Sequence, residues 1–128
     1  MKKFIALLST VIIAATAFAG EFPDVSIAEV KALLGTKKAT IIDVNGSESY
    51  AAGHVPGALD FDAIEKNFAK SLPEDKNALV IAYCGNPRCT AYQAAAKAAE
   101  KLGYKNVKHM SAGISGWKKA GEAVEKAK

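Results

Sequence analysis

The 128-residue chain has few of the residues that build metal centres, since it contains only two cysteines and two histidines. A structural zinc site usually combines two closely spaced pairs of cysteine or histidine ligands. Cys84 and Cys89 form one such pair, but His54 and His109 stand too far apart in the sequence to form a second. The sequence therefore predicts no metal site, and we expect no resident cofactor.

A strong excess of one charge is also missing. The formal net charge is +4, from 17 basic and 13 acidic residues. Without Lys2 and Lys3, 15 basic residues would stand against 13 acidic ones, an excess of about +2. Binding to nucleic acid depends largely on neutralising its phosphates with basic side chains. This balance therefore gives no reason to expect a nucleic-acid partner.

The longest apolar run lies at the amino terminus, where residues 1–19 have the order of an export signal. Two lysines precede an apolar stretch over residues 4–19, which ends in the A-x-A pattern of residues 17–19. This stretch of 16 residues is short for a membrane span, which needs about 20. We predict cleavage after Ala19, a mature domain over residues 20–128, and a periplasmic or secreted protein without membrane contact.

The rest of the chain alternates between short apolar runs and amphipathic segments. Such alternation predicts an α/β fold with a parallel sheet and helices on both faces, because parallel strands need crossover connections. In such a sheet the ligand site lies beyond the carboxyl ends of the strands. The predicted strands are residues 39–44, 78–84 and 106–110, and the predicted helices are residues 26–35, 62–72, 90–103 and 114–121.

Cys84 is the leading candidate for a functional residue because it ends a predicted buried strand and precedes a short loop and a helix. Backbone N–H groups and the helix N-terminus favour a thiolate there, and the thiolate is the nucleophilic form of cysteine. Gly85 allows the backbone to curl close to the sulfur. Arg88 adds a permanent cation. The pattern predicts a cysteine nucleophile that acts on an anionic group.

Cys89 leaves more than one interpretation open. A purely structural disulfide with Cys84 would close a very short loop and would remove little entropy from the unfolded chain. A redox-active or resolving pair is the other use of two nearby thiols. We predict a reversible Cys84–Cys89 disulfide that switches the site off. For the histidines, we expect His54 to fix a loop by hydrogen bonding and His109 to lie on the surface.

Three ordered stretches resemble the signatures of the rhodanese-like (sulfurtransferase) domain, here in a single-domain exported form. The first is an apolar strand ending in Asp, followed by a short helix and a G-H-x-P-G-A motif. The second is the strand, cysteine loop and helix of the active site, and the third is a closing G-x-x-x-W-x-x-A-G motif. They are IIDVNGSESYAAGHVPGALDFD, LVIAYCGNPRCTAYQAAAKAAEKLGYKNV and MSAGISGWKKAG.

The resemblance implies a five-stranded parallel sheet with helices on both faces and a catalytic Cys84. The thiolate would take sulfur from a small anionic donor such as thiosulfate, form a persulfide, and pass the sulfur to a thiol or another thiophilic acceptor. The loop that binds the donor and stabilises the persulfide would consist of Gly85, Asn86, Pro87, Arg88, Cys89 and Thr90.

Two positions depart from the family pattern. Asn45 stands where the family commonly has an arginine after the first signature strand, and Cys89 stands where the loop commonly has one. We therefore expect an enlarged Cys-x4-Cys loop and discount phosphatase activity. Two rival functions stay open: a periplasmic thiol redox protein in which Cys89 resolves a modified Cys84, and a catalytically silent rhodanese-like binding module.

Overall fold

The computed structural model describes residues 22–127, so the predicted export signal lies outside the described residues. Strands and helices alternate along the described chain, with a short 3-10 helix at Glu65–Asn67 between α3 and α4. None of the helices in residues 22–127 has the length and apolar character that a membrane crossing requires. The elements are α1 (Ile27–Leu33), β1 (Ala39–Asp43), α2 (Ser47–Ala52), β2 (Leu59–Asp60), α3 (Phe61–Ile64), α4 (Phe68–Ser71), β3 (Leu79–Tyr83), α5 (Tyr92–Lys101), β4 (Val107–His109) and α6 (Gly113–Lys119).

The sheet has the strand order β2-β1-β3-β4 and all of its strands are parallel. The predicted α/β class is confirmed, but the predicted count of five strands is wrong for the described residues. The fifth place, beside β4, holds a single parallel bridge between Asp24 and His109. The chain cannot extend this bridge into a strand because Ser26 already caps α1, accepting a hydrogen bond from the Glu29 amide at 3.1 Å.

Helices cover both faces of the sheet, because successive side chains of a strand point to opposite sides. On one face, Val30 of α1 and Trp117 of α6 pack with Ile41 and Ile81 of the two central strands. On the other face, the central-strand residues, among them Ile42, pack against α3, α4 and α5. Both faces of β1 and β3 are therefore buried, which explains why these strands read as nearly continuous apolar runs.

The predicted boundaries hold in most places. Pro56 and Gly57 form the expected turn, with Gly57 at φ +80° and the Ala58 amide donating to the Val55 carbonyl at 2.9 Å. The predicted helix over residues 62–72 is instead two single turns around the 3-10 helix. Its backbone leaves helical geometry at Asn67 (φ −125°, ψ 32°), a residue type whose side chain competes for backbone hydrogen bonds.

Candidate active site

Cys84 directly follows β3 and lies at the carboxyl edge of the sheet, the edge where parallel sheets place their ligand sites. Cys84 is only 1% exposed. The loop that follows connects β3 to α5 across this edge. The structure therefore places the predicted nucleophile at the position that the sequence analysis expected.

A disulfide joins Cys84 to Cys89, with the two Cα atoms 6.0 Å apart. This separation is within the range of about 4.4–6.8 Å that disulfides require. The intervening chain is folded back on itself, since the Cys89 amide donates to the Asn86 carbonyl at 3.1 Å and the Arg88 amide donates to Asn86 Oδ1 at 2.9 Å. These two bonds bring the second sulfur to the first.

The Tyr92 amide donates a hydrogen bond to Cys84 Sγ at 3.0 Å. Tyr92 is the first residue of α5, which has ten residues, so its N–H group has no carbonyl partner within the helix. An N–H donor at a helix start stabilises negative charge on the sulfur. Sequence analysis did not single out Tyr92, although an N–H donor in the first helical turn after the loop is where such a bond is expected.

The other predicted loop residues differ in exposure. Gly85 and Cys89 are partly buried, whereas Asn86, Pro87, Arg88 and Thr90 are exposed. Cys89 also packs against the core cluster on the α5 face of the sheet. The loop therefore presents polar and cationic groups to solvent above a buried sulfur.

The start of α6 holds the first part of the cysteine loop from the other side. The Ile114 amide donates to the Cys84 carbonyl at 3.0 Å, and the Ser115 amide donates to the Gly85 carbonyl at 2.9 Å. Gly113 has φ +64°, and a Cβ atom there would lie 2.6 Å from the Gly85 carbonyl carbon. Only glycine fits this approach. No local sequence pattern indicates this contact, because it joins segments far apart in the chain.

Asp43 and Asn45 follow β1 beside the cysteine loop. Asp43 Oδ2 accepts from the Tyr83 hydroxyl at 2.6 Å, and Asp43 Oδ1 accepts from the Asn45 amide at 2.8 Å. Burial raises the pKa of Asp43 above its ordinary value, while these hydrogen bonds oppose the shift. Asn45 Oδ1 would lie 3.4 Å from a Cβ atom at Gly85, so Asn45 borders the loop.

His109 lies at the end of β4 and is only 7% exposed, so the expectation of a surface histidine is wrong. Its ring stacks on the Tyr92 ring with the centroids 3.4 Å apart. Burial lowers the pKa of His109 below its ordinary value, while nearby Asp24 opposes the shift. The alternation of side chains along a strand indicates this burial, because Val107 and His109 share the inward face of a three-residue strand.

His54 fixes a loop, as the sequence predicted. Its Nδ1 lies 2.8 Å from the Tyr50 carbonyl, to which it donates, and its ring stacks on that of Tyr50 with the centroids 3.7 Å apart. Its backbone also pairs with Glu125 in both directions at 2.9 Å. His54 therefore ties α2 to the carboxyl-terminal segment and takes no part in the cysteine site.

A cavity of about 370 Å³ lies at the opposite edge of the sheet, near the start of β1. It is bordered by Leu33, Thr40, Pro56 and Leu59, among others, and by none of the cysteine-loop residues. Among residues 22–127, acidic residues, cysteines and histidines form no group of three that could hold a metal ion. The reactive chemistry of the described chain is therefore concentrated at the cysteine loop.

A parallel sheet that ends in a cysteine loop, with a disulfide sulfur beside a helix start, defines an α/β protein whose candidate site is built around a cysteine pair. The family model for the rhodanese-like domain matches residues 26–120. The chain belongs to the rhodanese-like domain family, as the sequence signatures indicated.

The chain is similar to the thiosulfate sulfurtransferase GlpE of Pseudoalteromonas translucida, with 31% identity over 107 residues that cover 82% of this chain and 98% of the relative. It is also 32% identical, over 67% of its length, to an HTH-type transcriptional regulator of Mycobacterium tuberculosis, of which it spans only 37%. The rhodanese-like domain of the Alr3790 protein from Anabaena has the same fold, with a TM-score of 0.64, 24% identity, and coverage of 82% of this chain and 80% of that one.

Proposed function

We propose that the chain is an exported sulfurtransferase. In this proposal Cys84 accepts a sulfur atom from a small anionic donor of the thiosulfate type and passes it to a thiophilic acceptor. The observation that carries the proposal is the hydrogen bond of 3.0 Å from the Tyr92 amide to Cys84 Sγ at the end of β3. The similarity to a thiosulfate sulfurtransferase over 98% of that relative's length supports the same chemistry.

The first step begins from the reduced protein, in which Cys84 is free to act as a thiolate. The thiolate attacks the outer sulfur of thiosulfate, the sulfur–sulfur bond of the donor breaks, and sulfite leaves with the bonding electron pair. Cys84 then carries a persulfide, whose terminal sulfur is also anionic near neutral pH. Hydrogen bonds to charged groups are roughly twice as strong as neutral ones, so the donors around the site favour both anions.

Arg88 is the proposed docking group for the donor. Its side chain is exposed in the loop above Cys84, and no ion pair holds it among residues 22–127. A fixed guanidinium charge attracts a doubly charged oxyanion and can form two hydrogen bonds with it. Asn86 and Thr90 lie on the same exposed loop and could complete the polar contacts.

Export is part of the proposal for two reasons. Residues 1–19 have the pattern of an export signal, and a disulfide suits an oxidising compartment. Comparing the mass of the protein from the periplasm with that of the full chain tests this part. We expect the mature protein to begin at Gly20. A protein that keeps its first 19 residues and stays in the cytoplasm would contradict it.

A thiol redox protein is the second candidate, and the Cys84–Cys89 disulfide favours it. In that function the pair would exchange electrons with another dithiol and would not carry sulfur. The two candidates differ in whether a sulfur atom is transferred. An assay for sulfur transfer therefore separates them.

The test is thiosulfate:cyanide sulfurtransferase activity, measured on protein that has been reduced and freed of reductant. Cys84→Ser should lower thiocyanate formation by at least about a thousandfold, because removing a covalent nucleophile removes the main reaction path. Cys89→Ser should form thiocyanate at least as fast as the wild type, because cyanide can take the sulfur directly from a Cys84 persulfide. Full activity in Cys84→Ser, or loss in Cys89→Ser alone, would contradict the assignment, and no activity in any form would favour the redox candidate.

A further inference from the structure

The two cysteines of the disulfide differ in their exposure to solvent. Cys84 is 1% exposed and its sulfur accepts the Tyr92 amide, whereas Cys89 is partly exposed on the loop. The bond between them shows that the fold brings the Cys89 sulfur within bonding distance of Cys84 Sγ. Any group attached to Cys84 Sγ is therefore within reach of Cys89.

We propose that Cys89 is a catalytic residue, the first acceptor of the sulfurtransferase cycle, and that the chain thereby converts the donor's outer sulfur to hydrosulfide. This inference rests on the proposed function, since it requires a persulfide on Cys84. The Cys89 thiolate attacks Cys84 Sγ, the bond between Cys84 Sγ and the terminal sulfur breaks, and hydrosulfide leaves with the electron pair. The product is the Cys84–Cys89 disulfide.

The atoms and electrons of this step balance within the protein. The terminal sulfur gains two electrons and leaves as hydrosulfide, while the sulfurs of Cys84 and Cys89 together lose two electrons as they join. Attack on Cys84 Sγ, and not on the terminal sulfur, follows from the observed connection, because these two Sγ atoms are the ones that bond. The Tyr92 amide keeps Cys84 Sγ in place while the loop delivers the second sulfur.

Resetting the site requires a dithiol reductant from outside the chain. In the disulfide Cys84 is buried and Cys89 is partly exposed, so the thiolate of the reductant attacks Cys89 and makes Cys84 the leaving thiolate. The Tyr92 N–H group stabilises that leaving thiolate. The second thiol of the reductant then releases Cys89, and the reductant departs as a disulfide after giving up two electrons. The chemical class of the partner is thus a small or protein-borne dithiol.

The disulfide would do little as a structural staple. The sequence separation of the two cysteines is only 5 residues, and the entropy that a cross-link removes from the unfolded chain grows with loop length. Two hydrogen bonds to Asn86 also hold the loop in its folded-back shape, in addition to the sulfur–sulfur bond. A catalytic use of the bond therefore accounts for its position better than a stabilising use.

The test is a single-turnover experiment on reduced protein, freed of reductant without air, with thiosulfate and no other acceptor. Sulfite, sulfide and the protein mass are measured together. Wild-type protein should release sulfite and sulfide in equal amounts and end two hydrogens lighter than the reduced chain. Cys89→Ser and Cys89→Ala should release sulfite, yield at least about tenfold less sulfide, and end one sulfur heavier. Added dithiothreitol should allow a second round in the wild type.

The outcomes separate the inference from the function on which it rests. Wild-type protein that releases sulfite but keeps the added sulfur would overturn the role of Cys89 and leave the sulfurtransferase proposal intact. Equal sulfide from wild type and both Cys89 variants would do the same. Protein that releases no sulfite and gains no sulfur would overturn the sulfurtransferase proposal itself. The sulfite burst also shows that each variant is folded, so a failed variant is recognised at once.

Discussion

The ends of β1 and β3 are neighbours in the sheet and share one design, in which a buried strand passes through a short loop into a helix. At the end of β1, both carboxylate oxygens of Asp43 accept hydrogen bonds, from the Tyr83 hydroxyl and the Asn45 amide. At the end of β3, the Cys84 sulfur accepts one amide and is bonded to Cys89.

A strand end supports chemistry only when its buried group can change partners. Each carboxylate oxygen of Asp43 accepts a hydrogen bond, and breaking these bonds leaves buried polar atoms unpaired. A sulfur–sulfur bond can instead be opened and remade by thiols without unfolding the site. We therefore expect changes near Asp43 to affect stability and changes near Cys84 to affect chemistry.

The largest effect is expected at Gly113, where a substitution should lower both the stability of the fold and the rate of sulfur transfer. In Gly113→Ala the new methyl group would lie within 2.6–2.8 Å of backbone atoms of the cysteine loop, so the loop must move. The free energy of unfolding, measured with denaturant, should fall by about 2–4 kcal/mol, because the methyl group overpacks the site and alanine is strained at a positive φ. Turnover should fall about a hundredfold, because small displacements at a site have large effects on rate.

Gly121→Ala is the matched control for this change. Gly121 has a similar φ of +79°, but a Cβ atom there meets nothing within 4 Å. Gly121→Ala should lower the free energy of unfolding by only about 1 kcal/mol and should keep its activity. Equal effects of the two substitutions would show that α6 does not hold the cysteine loop in place.

Tyr83→Phe should affect the β1 end alone. It removes the donor to Asp43 and the acceptor of the Val55 amide, which lies 3.0 Å from the Tyr83 hydroxyl. We expect a loss of about 2 kcal/mol in the free energy of unfolding, with sulfur transfer retained in the folded protein. Tyr50→Phe removes one hydrogen bond to the Ala58 carbonyl from a half-buried ring and should lose less. Loss of activity without loss of stability in Tyr83→Phe would break the distinction between the two strand ends.

His109→Phe should change how stability depends on pH. Burial lowers the pKa of folded His109 below 6.5, its ordinary value. As the pH falls through 6.5, the unfolded chain therefore binds a proton before the folded chain does, and the stability that neutral His109 contributes is lost. Phenylalanine can keep the stacking on Tyr92 but cannot titrate. The fall in melting temperature between about pH 7.5 and pH 5.5 should be smaller in the variant than in wild type. An equal fall in both proteins would contradict this role.

The smallest effect is expected from Arg88→Ala, which leaves every buried group in place. The KM for thiosulfate should rise about three- to tenfold with little change in kcat, because a docking charge contributes mainly to binding. Lys119→Ala removes an equal charge from an exposed position on α6 and serves as the control. A kcat effect larger than the KM effect would mean that Arg88 acts on the reacting sulfur and not on docking.

The sequence predicted the central parts of this account because they depend on local patterns. The apolar run before Cys84 defined a buried strand, and the alanine-rich run after the loop defined α5 and its end near Gly103, which has φ +96°. The order of the two then placed Cys84 at the carboxyl edge of the sheet. These are consequences of strand burial and helix periodicity alone.

The sequence could not supply contacts between distant segments. The clamp at Gly113 and the stacking of His109 on Tyr92 arise only when β4 and α6 pack beside the cysteine loop. The absence of a fifth strand from residues 22–127 depends on where α1 begins relative to the Asp24 bridge. Such details follow from tertiary packing, which a single sequence does not encode in any short pattern.

The most direct test that Cys84 carries the sulfur is to locate the transferred sulfur after the Cys89→Ser variant has reacted with thiosulfate. The protein would be alkylated, digested and analysed by mass spectrometry of its peptides. We expect one additional sulfur on the peptide that contains Cys84, and we expect it to be absent when cyanide is added before alkylation, because cyanide removes the terminal sulfur as thiocyanate. An unmodified Cys84 peptide, in protein whose thiol still reacts with the alkylating reagent, would contradict it.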